Sequence, residues 1–313
     1  MAEFETKSKS KTAHVFPGQG SQSVGMGHKL YQSSPKAKEV FEEADEALQF
    51  SISRLCFEGP EEELRQTINA QPAIMTVSIA CLRAASQVNH SASPAFVAGH
   101  SLGEYTALVA ANVLSFTDAI RLVRERGRLM QKAGEIKPGG MAAVIGLDEA
   151  ALREICRESG AEIANFNCSV QIVISGSKEA LARAMDLAEA RGARRVISLH
   201  VSGAFHSTLM QPTIEGMSEA ISQIDFRTPK VPIVVNSTAQ PVTTAEGVKE
   251  ELIRQLCNCV QWQPSVEYMV EEGVSTFIEI GPGQVLSGLI KRISNKVQVL
   301  NVSDPESIKA LGL

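Results

Sequence analysis

Residues 95–112 read Ala95-Phe96-Val97-Ala98-Gly99-His100-Ser101-Leu102-Gly103-Glu104-Tyr105-Thr106-Ala107-Leu108-Val109-Ala110-Ala111-Asn112. A short apolar run meets Gly-x-Ser-x-Gly, and a helix-forming run follows at once. The first part predicts a buried strand over 95–98, and the last predicts a helix over about 102–112. Strand, tight turn and helix in that order are the context a nucleophile elbow requires. The turn lifts the Ser101 hydroxyl clear of the sheet, and Gly99 and Gly103 remove contacts a β-carbon would make. The Leu102 amide then opens a helix, where unpaired donors and the helix dipole favour an oxyanion.

Working outward, β-branched runs alternate with amphipathic ones, which predicts an α/β protein. A first strand over 12–16 ends at Pro17 and enters a glycine-rich loop, 18–27. Helices are expected over 35–48, 61–68 and 72–85, and another capped by Thr117 or Asp118 continues to about 132. The cluster Lys137-Pro138-Gly139-Gly140 marks a boundary. Beyond it, strands at 142–147, 162–166, 171–175 and 194–199 and helices at 148–159 and 178–191 follow the β-α-β-β-α-β order of a ferredoxin-like unit. The chain then returns to the larger unit with a strand at 232–236, a helix at 246–257 and a strand at 276–280. Gly281-Pro282-Gly283 opens a final helix. The expected division is a disordered tail, 1–11, a large α/β catalytic unit, 12–136 plus 205–313, and an inserted small unit, 137–204. An insertion of this kind creates a cleft.

Composition narrows the classes. The chain has 313 residues, 44% of them hydrophobic and 21% charged, which excludes a disordered or collagen-like polymer. A net charge of −5 argues against nucleic-acid binding. No apolar stretch approaches the roughly 20 residues of a membrane span, and the lysine-rich start lacks the apolar core of a secretory signal. The six cysteines, Cys56, Cys81, Cys156, Cys168, Cys257 and Cys259, form no C-x-x-C motif. They read as reduced thiols of a cytoplasmic protein, with no metal site.

A serine nucleophile needs a base, and the histidines are His14, His28, His90, His100, His200 and His206. His100 adjoins the serine and should point away from it. His206 lies in a loop between a strand and the next helix, where catalytic side chains sit, and is favoured over His200. Between Ser101 and His206 the aspartates are Asp118, Asp148 and Asp186. Two look like helix starts and one is mid-helix, so a Ser–His dyad is expected, its imidazole held by backbone carbonyls or an amide. The loop Pro17-Gly18-Gln19-Gly20-Ser21-Gln22 fails both phosphate patterns, with Ser23 at a glycine place and Met26 at a lysine place. It reads as backbone that approaches a ligand closely.

Six segments occur in order: Val15 through Gln22, Gly99 through Tyr105, Arg126-Gly127, Gly203-Ala204-Phe205-His206-Ser207, Val260-Gln261-Trp262 and Glu279 through Gly283. From about Thr12 to the end, the chain resembles the malonyl-CoA:acyl carrier protein transacylases of type II fatty-acid synthesis. The resemblance implies a hydrolase-like α/β core with a parallel sheet. It also implies ping-pong malonyl transfer from malonyl-CoA to a phosphopantetheinylated carrier protein, with no bound cofactor. Ser101 would be the nucleophile, His206 the base, and the amides of Gln19 and Leu102 the oxyanion hole. Arg126 would bind the malonyl carboxylate through its two-pronged guanidinium. Asn167 would line the cleft, Gln255 would orient His206, and Phe205 would leave little room for an α-methyl branch. Cys259, and Cys168-Ser169-Val170, depart from the family's usual residues.

The family's carrier protein is acidic, so docking on this acidic chain calls for a local basic patch. Lys291, Arg292, Arg194 and Arg195 are the candidates. The competing readings are a polyketide-pathway acyltransferase, a serine esterase with no use for Arg126, and a silent carrier-protein-binding module. Intact Ser101, His206 and Arg126 argue against the last.

Overall fold

In a computed structural model, residues 11–88 and 93–311 are described. The expected tail over 1–10, and His90, lie outside them. Lys11 belongs not to a tail but to the first strand, where its Nζ donates to the Glu272 carbonyl at 2.6 Å.

Ten strands are present among the described residues: β1 (Lys11–Phe16), β2 (Phe96–Gly99), β3 (Gly139–Ile145), β4 (Glu162–Cys168), β5 (Gln171–Ser177), β6 (Arg195–Ser198), β7 (Ile233–Val234), β8 (Pro241–Val242), β9 (Val274–Ile280) and β10 (Gln298–Val302). They form two sheets. The larger runs β10-β9-β1-β2-β7-β8, parallel throughout except for β8. The smaller is antiparallel, β4-β5-β3-β6, with the helices Glu149–Ser159 and Lys178–Ala190 in the connections of a ferredoxin-like unit.

Both faces of the large sheet are covered, which is why β2, Phe-Val-Ala-Gly, is apolar without alternation and buried throughout. Ala13 and Val15 of β1 pack with Trp262, Leu286 and Ile290, while Phe16 joins the core built by the helices Pro35–Leu48, Thr67–Val88 and Phe116–Ile136. The small sheet packs Ala142, Val144, Ile172 and Ile174 against its own two helices.

Several expectations shift. Residues 61–68 divide into Glu61–Arg65 and the start of Thr67–Val88, because Pro72 sits inside the longer helix rather than opening it. Ser115, not Thr117 or Asp118, caps Phe116–Ile136; its Oγ accepts the Asp118 amide at 3.0 Å. The helix Val285–Ile293 is not the last element, since β10 and the helix Pro305–Leu311 follow.

Candidate active site

The elbow stands at the end of β2. Ser101 has φ 53° and ψ −106°, a conformation costing a non-glycine residue about 1–3 kcal/mol. Both flanking glycines are required by close approach. A β-carbon on Gly103 would lie 2.0 Å from the Phe16 carbonyl oxygen, and one on Gly99 would lie 1.9 Å from the Gly103 carbonyl carbon. The first amide of the helix Leu102–Ala110 belongs to Leu102, where no intrahelical acceptor exists.

Ser101 Oγ lies 2.7 Å from His206 Nε2. His206 Nδ1 lies 2.9 Å from the main-chain carbonyl of Gln255. A carbonyl only accepts, so Nδ1 carries the proton and Nε2 is left as the acceptor for the serine hydroxyl. Burial first, then the nearby Arg126 charge, lowers the His206 pKa to about 3, although the Gln255 bond works the other way. The imidazole is therefore neutral and able to act as a base well below pH 6.5. Labelling of Ser101 by a fluorophosphonate should keep its rate from pH 7.5 to 5.5. An unshifted imidazole would be about nine-tenths protonated at the lower value. Intact mass against time reads the rate, and a tenfold fall over that interval would contradict the assignment.

Arg126 is 1% exposed. Its Nη1 donates to Gln71 Oε1 at 2.7 Å; its Nη2 donates to Gln255 Oε1 at 2.7 Å and to Ser101 Oγ at 3.2 Å. The guanidinium carbon lies 5.2 Å from the Tyr105 ring centroid, and Nε has no partner among the described residues. It forms no ion pair there either. A buried cation resting on neutral amides retains its attraction for an anion. Glu104 lies nearby, but burial and the neighbouring Glu251 charge raise its pKa well above the carboxylate range, weakening it as a counter-ion.

These groups share one cleft. Its lining includes Gln19, His100, Ser101, Leu102, Arg126, Asn165, Phe205 and His206. Phe205 packs with Met130, Met141 and Met210, narrowing the cleft on the small-sheet side. Asn167 stands one step back from the lining: its Oδ1 accepts from His100 Nε2 at 2.8 Å. The His100 ring is thus turned to Asn167 and lies 5.7 Å from the Trp262 ring, while still lining the cleft. Asn165, two residues earlier on the same face of β4, reaches the cleft instead, and its Oδ1 has no partner among the described residues. Gln255 meets His206 through its main-chain carbonyl, while its side chain bridges Arg126 and the Ser101 carbonyl. The Gln19 side chain turns to Thr67 Oγ1 at 3.3 Å.

Two main-chain bonds join the small sheet to the segment ahead of Trp262. Phe166 N donates to Val260 O, and Val260 N to Ala164 O, each at 2.8 Å. They fix β4 against the segment ahead of Trp262.

Sequence reasoning missed Gln71 and Asn165. Gln71, an amide within the largely apolar helix Thr67–Val88, was the available signal for a buried polar cluster. The candidate carrier-protein residues are all exposed. The helix Val285–Ile293 starts at the rim that carries the elbow, so Lys291 and Arg292 in its last turn lie about 9–11 Å from that start along its axis. The six cysteines are unpaired thiols, and no described helix is long and apolar enough to cross a membrane.

Fold and comparison define the class first: this is an acyltransferase, matched over residues 13–311 by the acyl transferase domain family. The malonyl CoA-acyl carrier protein transacylase of Bacillus subtilis (strain 168) is 48% identical over 305 residues, 96% of both chains. That of Staphylococcus aureus (strain MRSA252) is 45% identical, over 96% of this chain and 98% of its own. Among solved structures, the acyl-carrier-protein-S-malonyltransferase of Bartonella henselae superposes with a TM-score of 0.93 at 43% identity, covering 96% and 98% of the two chains. A malonyl-transacylase in complex with a type II polyketide-synthase acyl carrier protein superposes at 0.94 and 42% identity, covering 97% and 99%. The chain belongs to the malonyl CoA-acyl carrier protein transacylase family.

Proposed function

We propose that the protein transfers malonyl groups from malonyl-CoA to the phosphopantetheine thiol of a holo acyl carrier protein, supplying extender units for fatty-acid synthesis. One observation carries the reading: a buried guanidinium with no carboxylate partner among the described residues lies 3.2 Å from a serine hydroxyl that is itself 2.7 Å from a neutral imidazole. An ester substrate without a second charge would have no use for that cation.

In this mechanism His206 Nε2 takes the Ser101 proton as Oγ attacks the thioester carbonyl. The developing oxyanion accepts bonds from the Leu102 and Gln19 amides. Collapse expels coenzyme A, whose sulfur takes the proton from His206, and leaves malonyl-Ser101. The carrier thiol then gives its proton to His206 and attacks that ester, and Ser101 recovers its proton on release. Arg126 holds the distal carboxylate throughout, and Phe205 crowds the α-carbon. Side chains and backbone amides suffice for every step.

The direct test is intact mass after incubation with malonyl-CoA, followed by holo carrier protein. The expected sequence is a malonyl adduct and then its discharge to the carrier. Rapid release of free malonate to water, with no transfer, would favour an esterase instead. The neighbour bound to a polyketide carrier protein gives a second reading, service to a polyketide pathway. Comparing kcat/KM for holo carrier proteins of the two kinds separates them.

We further propose that Lys291, Arg292, Arg194 and Arg195 steer the acidic carrier. Lys291→Glu should lower kcat/KM for the carrier about tenfold at low salt and leave serine acylation by malonyl-CoA unchanged. Unchanged carrier turnover would remove Lys291 from the docking surface.

A further inference from the structure

The strained bend at Ser101 is held by a residue that neither touches the cleft nor belongs to the proposed chemistry. Asn236 lies two residues beyond β7, the strand that pairs with β2 through Val97–Ile233 and Ala98–Val234. Its side-chain amide closes a ring on the elbow main chain. Nδ2 donates to the Gly99 carbonyl at 2.6 Å, and Oδ1 accepts the Ser101 amide at 2.6 Å. Asn236 is fixed in turn: its own amide donates to Glu104 Oε2 at 2.7 Å, and its carbonyl accepts from the Gln261 amide at 2.8 Å. Asn236 and Glu104 are both buried, and Glu104 stands in the first turn of the helix that leaves the elbow. The bend is therefore tied from its strand side and its helix side to one amide.

We propose that Asn236, anchored by Glu104, is a positioning residue that holds Ser101 in its left-handed conformation and so keeps Oγ within reach of His206 Nε2. The physical case is specific to an amide of this length. A donor and an acceptor about one peptide apart on the main chain are satisfied together, and any apolar side chain leaves both buried groups unpaired. Released from that ring, Ser101 relaxes from an unfavourable φ, and a shift of about 1 Å at a reacting atom costs about a hundredfold in rate. The role concerns the hydroxyl itself, whatever acyl group it receives, so its failure is distinguishable from failure of the malonyl reading.

The test uses a fluorophosphonate, which reports Ser101 reactivity without a malonyl group. Asn236→Ala should slow labelling about a hundredfold and lower kcat for malonyl transfer similarly. The KM for malonyl-CoA should stay within threefold, with a cooperative thermal transition retained. Labelling within threefold of the parent would overturn the proposal. Should the alanine variant not fold, Asn236→Asp decides. It keeps the acceptor for the Ser101 amide, lacks the donor to Gly99 when ionised and regains it when protonated. Its labelling should be slow at pH 8 and rise as the pH falls to 5, while the parent stays flat. The titratable and charged neighbours are Glu104 on Leu102–Ala110, Glu251 on Ala245–Cys257, Arg126 on Phe116–Ile136, and His100 and His206 on their loops. All are common to both proteins, so the difference between profiles belongs to position 236. Parent-like rates with a flat profile in this variant would overturn the proposal.

Discussion

Replacing Ser101 by alanine should erase the malonyl adduct and lower transfer to the carrier protein by about four orders of magnitude or more. The substitution removes one oxygen and leaves the β-carbon, so the strained backbone is unaltered. His206 keeps its bond to the Gln255 carbonyl, and Arg126 keeps Gln71 and Gln255. The loss is therefore chemical and not a failure to fold. No cysteine lines the cleft among the described residues; Cys156 and Cys259 line a separate pocket, where burial raises their thiols to about 11 and 12, away from reactivity. Intact mass after malonyl-CoA treatment checks the result. A surviving adduct in the alanine variant would move the acyl group to another residue and end the present assignment.

Arg126→Ala should cost malonyl labelling ten- to a hundredfold more than acetyl labelling. Hydrogen bonds to a charged group contribute about 1.5–3 kcal/mol, and each 1.4 kcal/mol is a factor of ten. Only the donor with a distal carboxylate loses that contribution. Both acyl donors share the smaller effects, which are a neighbour taken from Ser101 Oγ and two amide oxygens left facing a void. Arg126→Lys should recover little, because an ammonium cannot present two parallel donors. The ratio of labelling rates with malonyl-CoA and acetyl-CoA is the measurement, and equal losses would strip Arg126 of its role in selection. Removing the cation also removes one cause of the low His206 pKa, so the acid limb of labelling should move upward in this variant.

The elbow was legible because its demands are local: an apolar strand, two glycines and a helix-forming run leave little else for residues 95–112 to become. The small sheet was legible for the same reason, since its alternating elements are contiguous. The dyad was readable by exclusion, and a backbone carbonyl or an amide was expected to hold its imidazole, but exclusion did not say which residue supplies that group. That group is a main-chain carbonyl, which every residue possesses and no side chain announces. Asn167 looked like a cleft residue and Asn165 did not, because the two share a face of β4 and only the packing of His100 decides which amide is occupied. Asn236 meets Ser101 across 135 residues of chain and Glu104 across 132, beyond any local pattern. At Ser115 the cap lies two or three residues ahead of the reading because Ser115 and Asp118 form the pair, whereas the reading weighed only Thr117 and Asp118. The strand β10 was passed over because a five-residue edge strand behind a polar loop carries little signal.

The pair of main-chain bonds at Val260 has a kinetic meaning. Stitched by backbone to the segment ahead of Trp262, the wall carrying Asn165 cannot swing away without breaking both bonds. In the proposed mechanism the two carriers of the acyl group reach Ser101 through that one cleft, and the first leaves before the second attacks. For the proposed ping-pong cycle through an acyl-serine, double-reciprocal plots are expected to run parallel.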